Sequence, residues 1–133
     1  MSQKIFIIED DVNILYGLQA KFRVEGFQVR ISSGEEEVFE VVDSINFFEA
    51  DYVVLDVVLP NMDGFEVIKK IRENIGNSLP IFVFADISEN DIQSRAGDYG
   101  ANCYFVKEET NIDEFASKVL KIIDNRQRAK FYR

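Results

Sequence analysis

The 133-residue chain has no histidine and no tryptophan, one cysteine and two prolines. Without histidine it has no Ser-His-Asp or Cys-His catalysis, no histidine metal site and no phosphohistidine of its own. Cys103 has no internal partner, which excludes a disulfide within the chain and fits a cytoplasmic location; it reads as a small packing residue. No apolar run approaches the ~20 residues that span a bilayer, so membrane insertion is not expected. Met1-Ser2-Gln3-Lys4 leads straight into a strand-like run without the layout of a signal peptide. Positive charge is scarce: 15 Lys and Arg stand against 24 Asp and Glu, a net of −9. Such a surface is repelled by nucleic acid and by anionic membranes. The exception is the stretch 124–133. Arg126, Arg128, Lys130 and Arg133 against Asp124 give it a net +3, which leaves −12 on residues 1–123.

What is present is a core. With 47% hydrophobic and 29% charged residues the chain reads as globular, and its length suits one domain. Short continuous apolar runs, Ile5–Ile8, Tyr52–Leu55, Ile81–Phe84 and 101–106, have the pattern of strands buried on both faces. Residues 27–31 alternate like a half-covered edge strand. Between them lie segments of helical period. Leu15, Leu18 and Phe22 form one stripe within 12–24, with Asp11 as N-cap. Ser33 and Glu36 fit a capping box ahead of Val38, Val41, Val42 and Ile45. Residues 46–50 read as a connection. Asp63-Gly64 opens a helix carrying Phe65, Ile68 and Ile71, with Glu66 and Lys70 paired at i, i+4. Ser88 is the expected cap of a helix through Ile92 and Ala96. Thr110 is the expected cap of a last helix with Phe115, Val119, Ile122 and Ile123 inward. Five βα units favour an α/β fold: a parallel sheet with helices on both faces. Ligands of such sheets bind beyond the carboxyl ends of the strands.

Those strand ends carry the chemistry. Glu9-Asp10-Asp11 follows the first strand, Asp56 the third, Ala85 the fourth and Lys107 the fifth. Carboxylates sharing a small site raise one another's pKa unless a cation intervenes, and an all-oxygen set suits Mg²⁺. A carboxylate also serves as a nucleophile toward phosphorus, with a lysine to meet the phosphoryl charge.

The motifs Ile7-Ile8-Glu9-Asp10-Asp11, Leu55-Asp56-Val57-Val58-Leu59-Pro60-Asn61-Met62-Asp63-Gly64 and Gly100 to Lys107 resemble, in order and separation, those of response-regulator receiver domains. The resemblance runs from about residue 4 to residue 123. It implies a flavodoxin-like, doubly wound five-stranded sheet of order 2-1-3-4-5 with five helices. It implies Asp56 as phosphoryl acceptor and Lys107 as the contact to the phosphoryl oxygens. Asp10, Asp56, Glu9 (mainly through water) and the Val58 carbonyl would hold Mg²⁺. Tyr104 matches a switch aromatic. The implied partners are a histidine kinase or histidine phosphotransfer protein, an output protein or domain, and a second copy through the fourth helix, fifth strand and fifth helix. Such a protein catalyses its own phosphorylation and dephosphorylation without being a metabolic enzyme.

Two positions depart from that pattern. Ala85 stands where a threonine or serine hydroxyl meets the phosphoryl group, with Asp86 after it. Glu108 stands where proline follows the lysine in a cis peptide, so a trans bond and a less certain aim for Lys107 are expected. These departures define the alternative, a degenerate receiver that binds partners without phosphorylation. A flavin-type binder or a haloacid-dehalogenase-type phosphatase lacks its marks here: no glycine-rich loop follows the first strand, and Asp56 has no Asp-x-Asp spacing. Val58 and Ile87 flank the route of the hydrolytic water in receivers, and two apolar side chains there imply slow loss of phosphate. Residues 1–123 are expected to form the receiver. Residues 124–133 read as a basic extension of the last helix or the stub of a linker, with Phe131 and Tyr132 packing back or onto another protomer.

Overall fold

The apolar runs pair into one parallel sheet. In the computed structural model, which describes residues 2–86 and 90–131, the strands are β1 (Lys4–Ile8), β2 (Gln28–Ser32), β3 (Tyr52–Leu55), β4 (Ile81–Ala85) and β5 (Cys103–Val106). Their order is β2-β1-β3-β4-β5. The helices α1 (Val12–Val24), α2 (Val38–Phe48), α3 (Gly64–Asn74), α4 (Asn90–Tyr99) and α5 (Ile112–Phe131) connect and follow them. Strand side chains alternate between two cores. Ile5, Ile7, Val54, Phe82 and Phe84 meet Leu15, Leu18 and Phe22 of α1 and Phe115 and Val119 of α5. Phe6, Ile8, Val53, Leu55 and Val83 meet Val41 and Ile45 of α2, Ile68 and Ile71 of α3 and Ala96 of α4. Both faces are therefore covered, as continuous apolar strands require. The polar edge strand β2 is half-covered, also as its alternation implies.

Several local expectations change. The capping box of α2 is Glu37 with Glu40 rather than Ser33 with Glu36. Ser32 Oγ donates to Glu36 at 2.5 Å and accepts from Gly34 N at 3.1 Å. Gly34 has φ +80°, so the chain turns there instead of entering the helix. At its far end α2 runs on through Phe47 and Phe48, which the sequence reads as a connection, and stops at Glu49 in the left-handed region. Phe48 stays helical because its ring packs edge-on against Phe6, with the cations of Lys4 and Arg30 over it. Lys70 pairs with Glu73 at 3.1 Å and not with Glu66. The cap of α5 is Asn111, whose Oδ1 accepts from Glu114 N at 2.9 Å. Thr110 is buried, and its amide donates to the Val106 carbonyl. Asp11 and Asp63 cap α1 and α3 as expected. The expected cap Ser88, together with Ile87 and Tyr132, lies outside the described residues, as do the side chains of Ile92 and Phe131. No helix among the described residues is long and apolar enough to cross a membrane.

Candidate functional site

Strand order reverses between β1 and β3, and the strand exits on either side of that point supply the site. Glu9 N donates to Ser32 O at 3.0 Å, and Asp56 N donates to Ile8 O at 3.0 Å. These bonds carry the ladder one residue past each strand, so Glu9 and Asp56 are pinned by backbone. Their side chains turn inward: Glu9 is 2% exposed and Asp56 4% exposed. Asp10 is exposed. Lys107 is held in the same way, its amide donating to Ala85 O at 2.8 Å. From there its stem carries Nζ to 5.9 Å from the centroid of the Phe84 ring in β4.

The charged atoms converge. Lys107 Nζ donates to Asp56 Oδ2 at 2.8 Å and stands 2.5 Å from Glu9 Oε1. Asp56 Oδ1 accepts from the Val58 amide at 2.8 Å, and Glu9 Oε2 accepts from the Asp10 amide at 3.0 Å. Glu9 Oε1 has ion-pair distance to the ammonium but no donor aligned on it, and it is a buried oxygen without a hydrogen bond. Desolvation pushes the Glu9 carboxyl up to about 8, the Asp56 carboxylate adding to the rise and Lys107 opposing it. Burial would lower the Lys107 ammonium, but its bonds to Asp56 and Glu9 outweigh that and hold it above its ordinary value. One ammonium thus shares a small site with a surplus of carboxylate, and the surplus falls on Glu9.

Carboxylate oxygens of Glu9, Asp10 and Asp56 lie within 4.8 Å of one another. That set is all oxygen, which fits a hard divalent cation. Glu9, Asp10 and Asp56 would hold it.

The departures from the receiver pattern also take their places. Ala85 ends β4 fully buried, opposite Val106, and presents only a methyl. Asp86 follows it, exposed. Tyr104 pairs with Val83, half-buried toward the α2–α4 face. Burial raises its hydroxyl pKa, and the Asp56 charge raises it further. The Lys107–Glu108 peptide is trans, and the lysine reaches Asp56 all the same. Val58 is 49% exposed at the rim.

Sequence reasoning missed two supporting residues. Gly64 opens α3 against the loop after Asp56, where a Cβ would press into Val57 Cα and sit 2.9 Å from the Asp56 carbonyl oxygen. Asp63-Gly64 carried a signal for a helix start but none for that close approach. Arg95 of α4 meets Asp63, Phe65 and Tyr99, a contact between helices that no local pattern announces.

A doubly wound sheet whose switch-point edge holds acidic side chains and one lysine defines a class of receiver-like α/β domains. The chain belongs to the response regulator receiver domain family, which it matches over residues 5–119. It is 30% identical over 105 residues to the transcriptional regulatory protein PdtaR of Mycobacterium tuberculosis, covering 79% of this chain and 49% of that protein. It is 28% identical to sporulation initiation phosphotransferase F of Bacillus subtilis, covering 92% of this chain and 95% of that protein. Among solved structures, a CheY-like receiver domain protein of Methanospirillum hungatei superposes with a TM-score of 0.82 at 20% identity, covering 97% and 99% of the two chains. The chain spans about half the length of PdtaR and of the response regulator ArlR.

Proposed function

We propose that this receiver accepts a phosphoryl group on Asp56 from a partner's phosphohistidine, with Mg²⁺, and changes its affinity for a partner in response. The observation that carries the reading is Lys107 Nζ, 2.8 Å from Asp56 Oδ2 and in contact with Glu9 at the same sheet edge. In the transfer an Asp56 carboxylate oxygen bonds to phosphorus while the donor's P–N bond breaks. The electron pair stays on the imidazole nitrogen, which takes a proton from solvent. Lys107 meets the phosphoryl oxygens, and the Val58 amide orients the attacking carboxylate. Mg²⁺, when bound, neutralises charge on the transferring group. The bearer of the phosphohistidine is a histidine kinase or a phosphotransfer protein, since this chain has no histidine. The name of the Bacillus subtilis relative, a phosphotransferase, fits this assignment. The face formed by α4, β5 and α5 is the surface offered to an output protein or to a second copy. A net charge of −9 speaks against direct binding of nucleic acid. The domain works in the cytoplasm; residues 1–123 form the receiver, and the basic stretch 124–133 is an extension of the last helix or the stub of a linker, with α5 described through Phe131. Gln127 Nε2 donates to the buried Tyr52 hydroxyl at 3.1 Å, so the start of that extension is tied to the sheet.

The test is incubation with a small-molecule phosphodonor and Mg²⁺ followed by intact mass. One phosphoryl adduct is expected in the wild type and none in Asp56→Asn. An undiminished adduct in Asp56→Asn overturns the assignment. A second reading, a degenerate receiver that binds without phosphorylation, is favoured by the methyl of Ala85 at the β4 exit. It requires that Mg²⁺ titration leave folding and spectra unchanged, whereas the first reading requires a saturable change.

A further inference from the structure

We propose, resting on Asp56 as the acceptor, that Arg95 carries the state of that site to α4 through the loop after β3. Besides the bond to Lys107 after β5, two routes run from Asp56 toward α4. The path along β4 ends in the Ala85 methyl, which neither donates nor accepts a hydrogen bond. The path along the loop is connected at every step. Asp56 Oδ1 accepts from Val58 N at 2.8 Å. Val58 pairs with Asp63 in an antiparallel bridge, closed by Gly64 N donating to Val57 O at 3.2 Å. The loop is therefore a small ring that ties the segment bearing the Val58 amide to the segment bearing Asp63.

Asp63 faces two ways. Its Oδ1 accepts from Phe65 N at 2.9 Å and starts α3. Its Oδ2 lies 3.9 Å from Arg95 of α4. The Arg95 guanidinium also covers the Phe65 ring at 4.3 Å and the Tyr99 ring at 5.6 Å, and those two rings pack 5.9 Å apart. Arg95 and Asp63 are each about half exposed. Half-exposed ion pairs and cation–π contacts are individually weak, so a small shift remakes them. A phosphoryl group on Asp56 adds negative charge and new acceptor oxygens beside the Val58 amide. The amide turns toward them, the ring shifts, and Asp63 moves against Arg95. The neighbouring Ala96 is 1% exposed, so a displacement of Arg95 acts on a turn of α4 that is packed on the core.

The experiment reads hydrogen exchange across residues 94–99 before and after treatment with a small phosphodonor and Mg²⁺, with phosphoryl uptake measured by intact mass on the same samples. Arg95→Met keeps the stem over Phe65 without the charge, and Asp63→Asn keeps the cap without the charge. All variants are expected to take up one phosphoryl group. Wild-type α4 exchange is expected to change about fivefold. Each single variant should lose most of that change, and the double variant should lose no more than either single, because all remove one contact. A full α4 response in Arg95→Met, losses that add in the double, or a phosphorylated wild type with unchanged α4 overturns the relay. A wild type that takes up no phosphoryl group overturns the acceptor assignment itself, and the relay falls with it.

Discussion

Lys107 stands between two buried carboxylates, so its removal has a signature beyond lost activity. In Lys107→Met the apolar stem is kept, but Glu9 and Asp56 remain buried without a cation. Breaking a buried pair in this way costs about 3–5 kcal/mol. The penalty is relieved where Glu9 takes up a proton, and its carboxyl is already pushed up to about 8 by desolvation. Urea unfolding of Lys107→Met should therefore show a larger loss at pH 9 than at pH 5. An equal loss at both would assign the cost to packing of the stem. Val58 calls for a different measurement. It stands 49% exposed at the rim of the site, and on the proposed acyl phosphate at Asp56 an apolar side chain there would hinder the approach of water. We expect slow loss of phosphate from the purified protein, and faster loss from Val58→Ala. A wild-type phosphate that disappears as fast as that of the variant would remove Val58 from the account.

At the scale of elements, the start of α3 is where the site depends most on shape. Gly64 lets the helix begin directly against Val57 and the Asp56 carbonyl. Gly64→Ala must push the helix away from the loop, at about 1–3 kcal/mol. Because the loop carries the Val58 amide that orients Asp56, phosphoryl uptake should slow together with the fall in thermal stability. A stable variant with unchanged uptake would show that the loop relaxes freely. The same elements show what sequence reads well and what it does not. Strands β1, β3 and β4 are continuous apolar runs bounded by charge or proline, a pattern that burial on both faces alone explains. The entry to α2 misleads because Ser33 and Glu36 have capping-box spacing, yet Ser32 takes Glu36 and Gly34 takes a conformation open to glycine. The end of α2 misleads because Phe47-Phe48 looks like a break until Phe6, Lys4 and Arg30 are placed around Phe48. Both errors come from partners close in space but not decisive within a short window.

For the whole molecule, the site exists only because the order β2-β1-β3-β4-β5 brings the exits of β1, β3 and β5 to one edge. Glu9, Asp56 and Lys107 are each readable as strand-end residues. Their 2.5–2.8 Å contacts are a property of the assembled sheet, and so is the desolvation of Glu9. That desolvation links the fold to pH. The Glu9 carboxyl lies at about 8 in the folded protein against an ordinary value of 4.5. Between these values the folded chain keeps a proton that the unfolded chain has released. The folded state binds more protons there, so the contribution of Glu9 to stability is full below pH 4.5 and is lost as pH rises toward 8. Glu9→Gln removes this titration while keeping size and polarity. In the absence of divalent ions, the stability of Glu9→Gln relative to wild type should therefore rise steadily from pH 4.5 to pH 8 and level off above. Mg²⁺ favours the ionised carboxylate, so it should stabilise the wild type increasingly over the same interval and Glu9→Gln much less. Paired thermal melts with and without Mg²⁺ measure both differences. A gap between the two proteins that stays constant with pH would mean that Glu9 is already ionised in the metal-free fold, held so by Lys107.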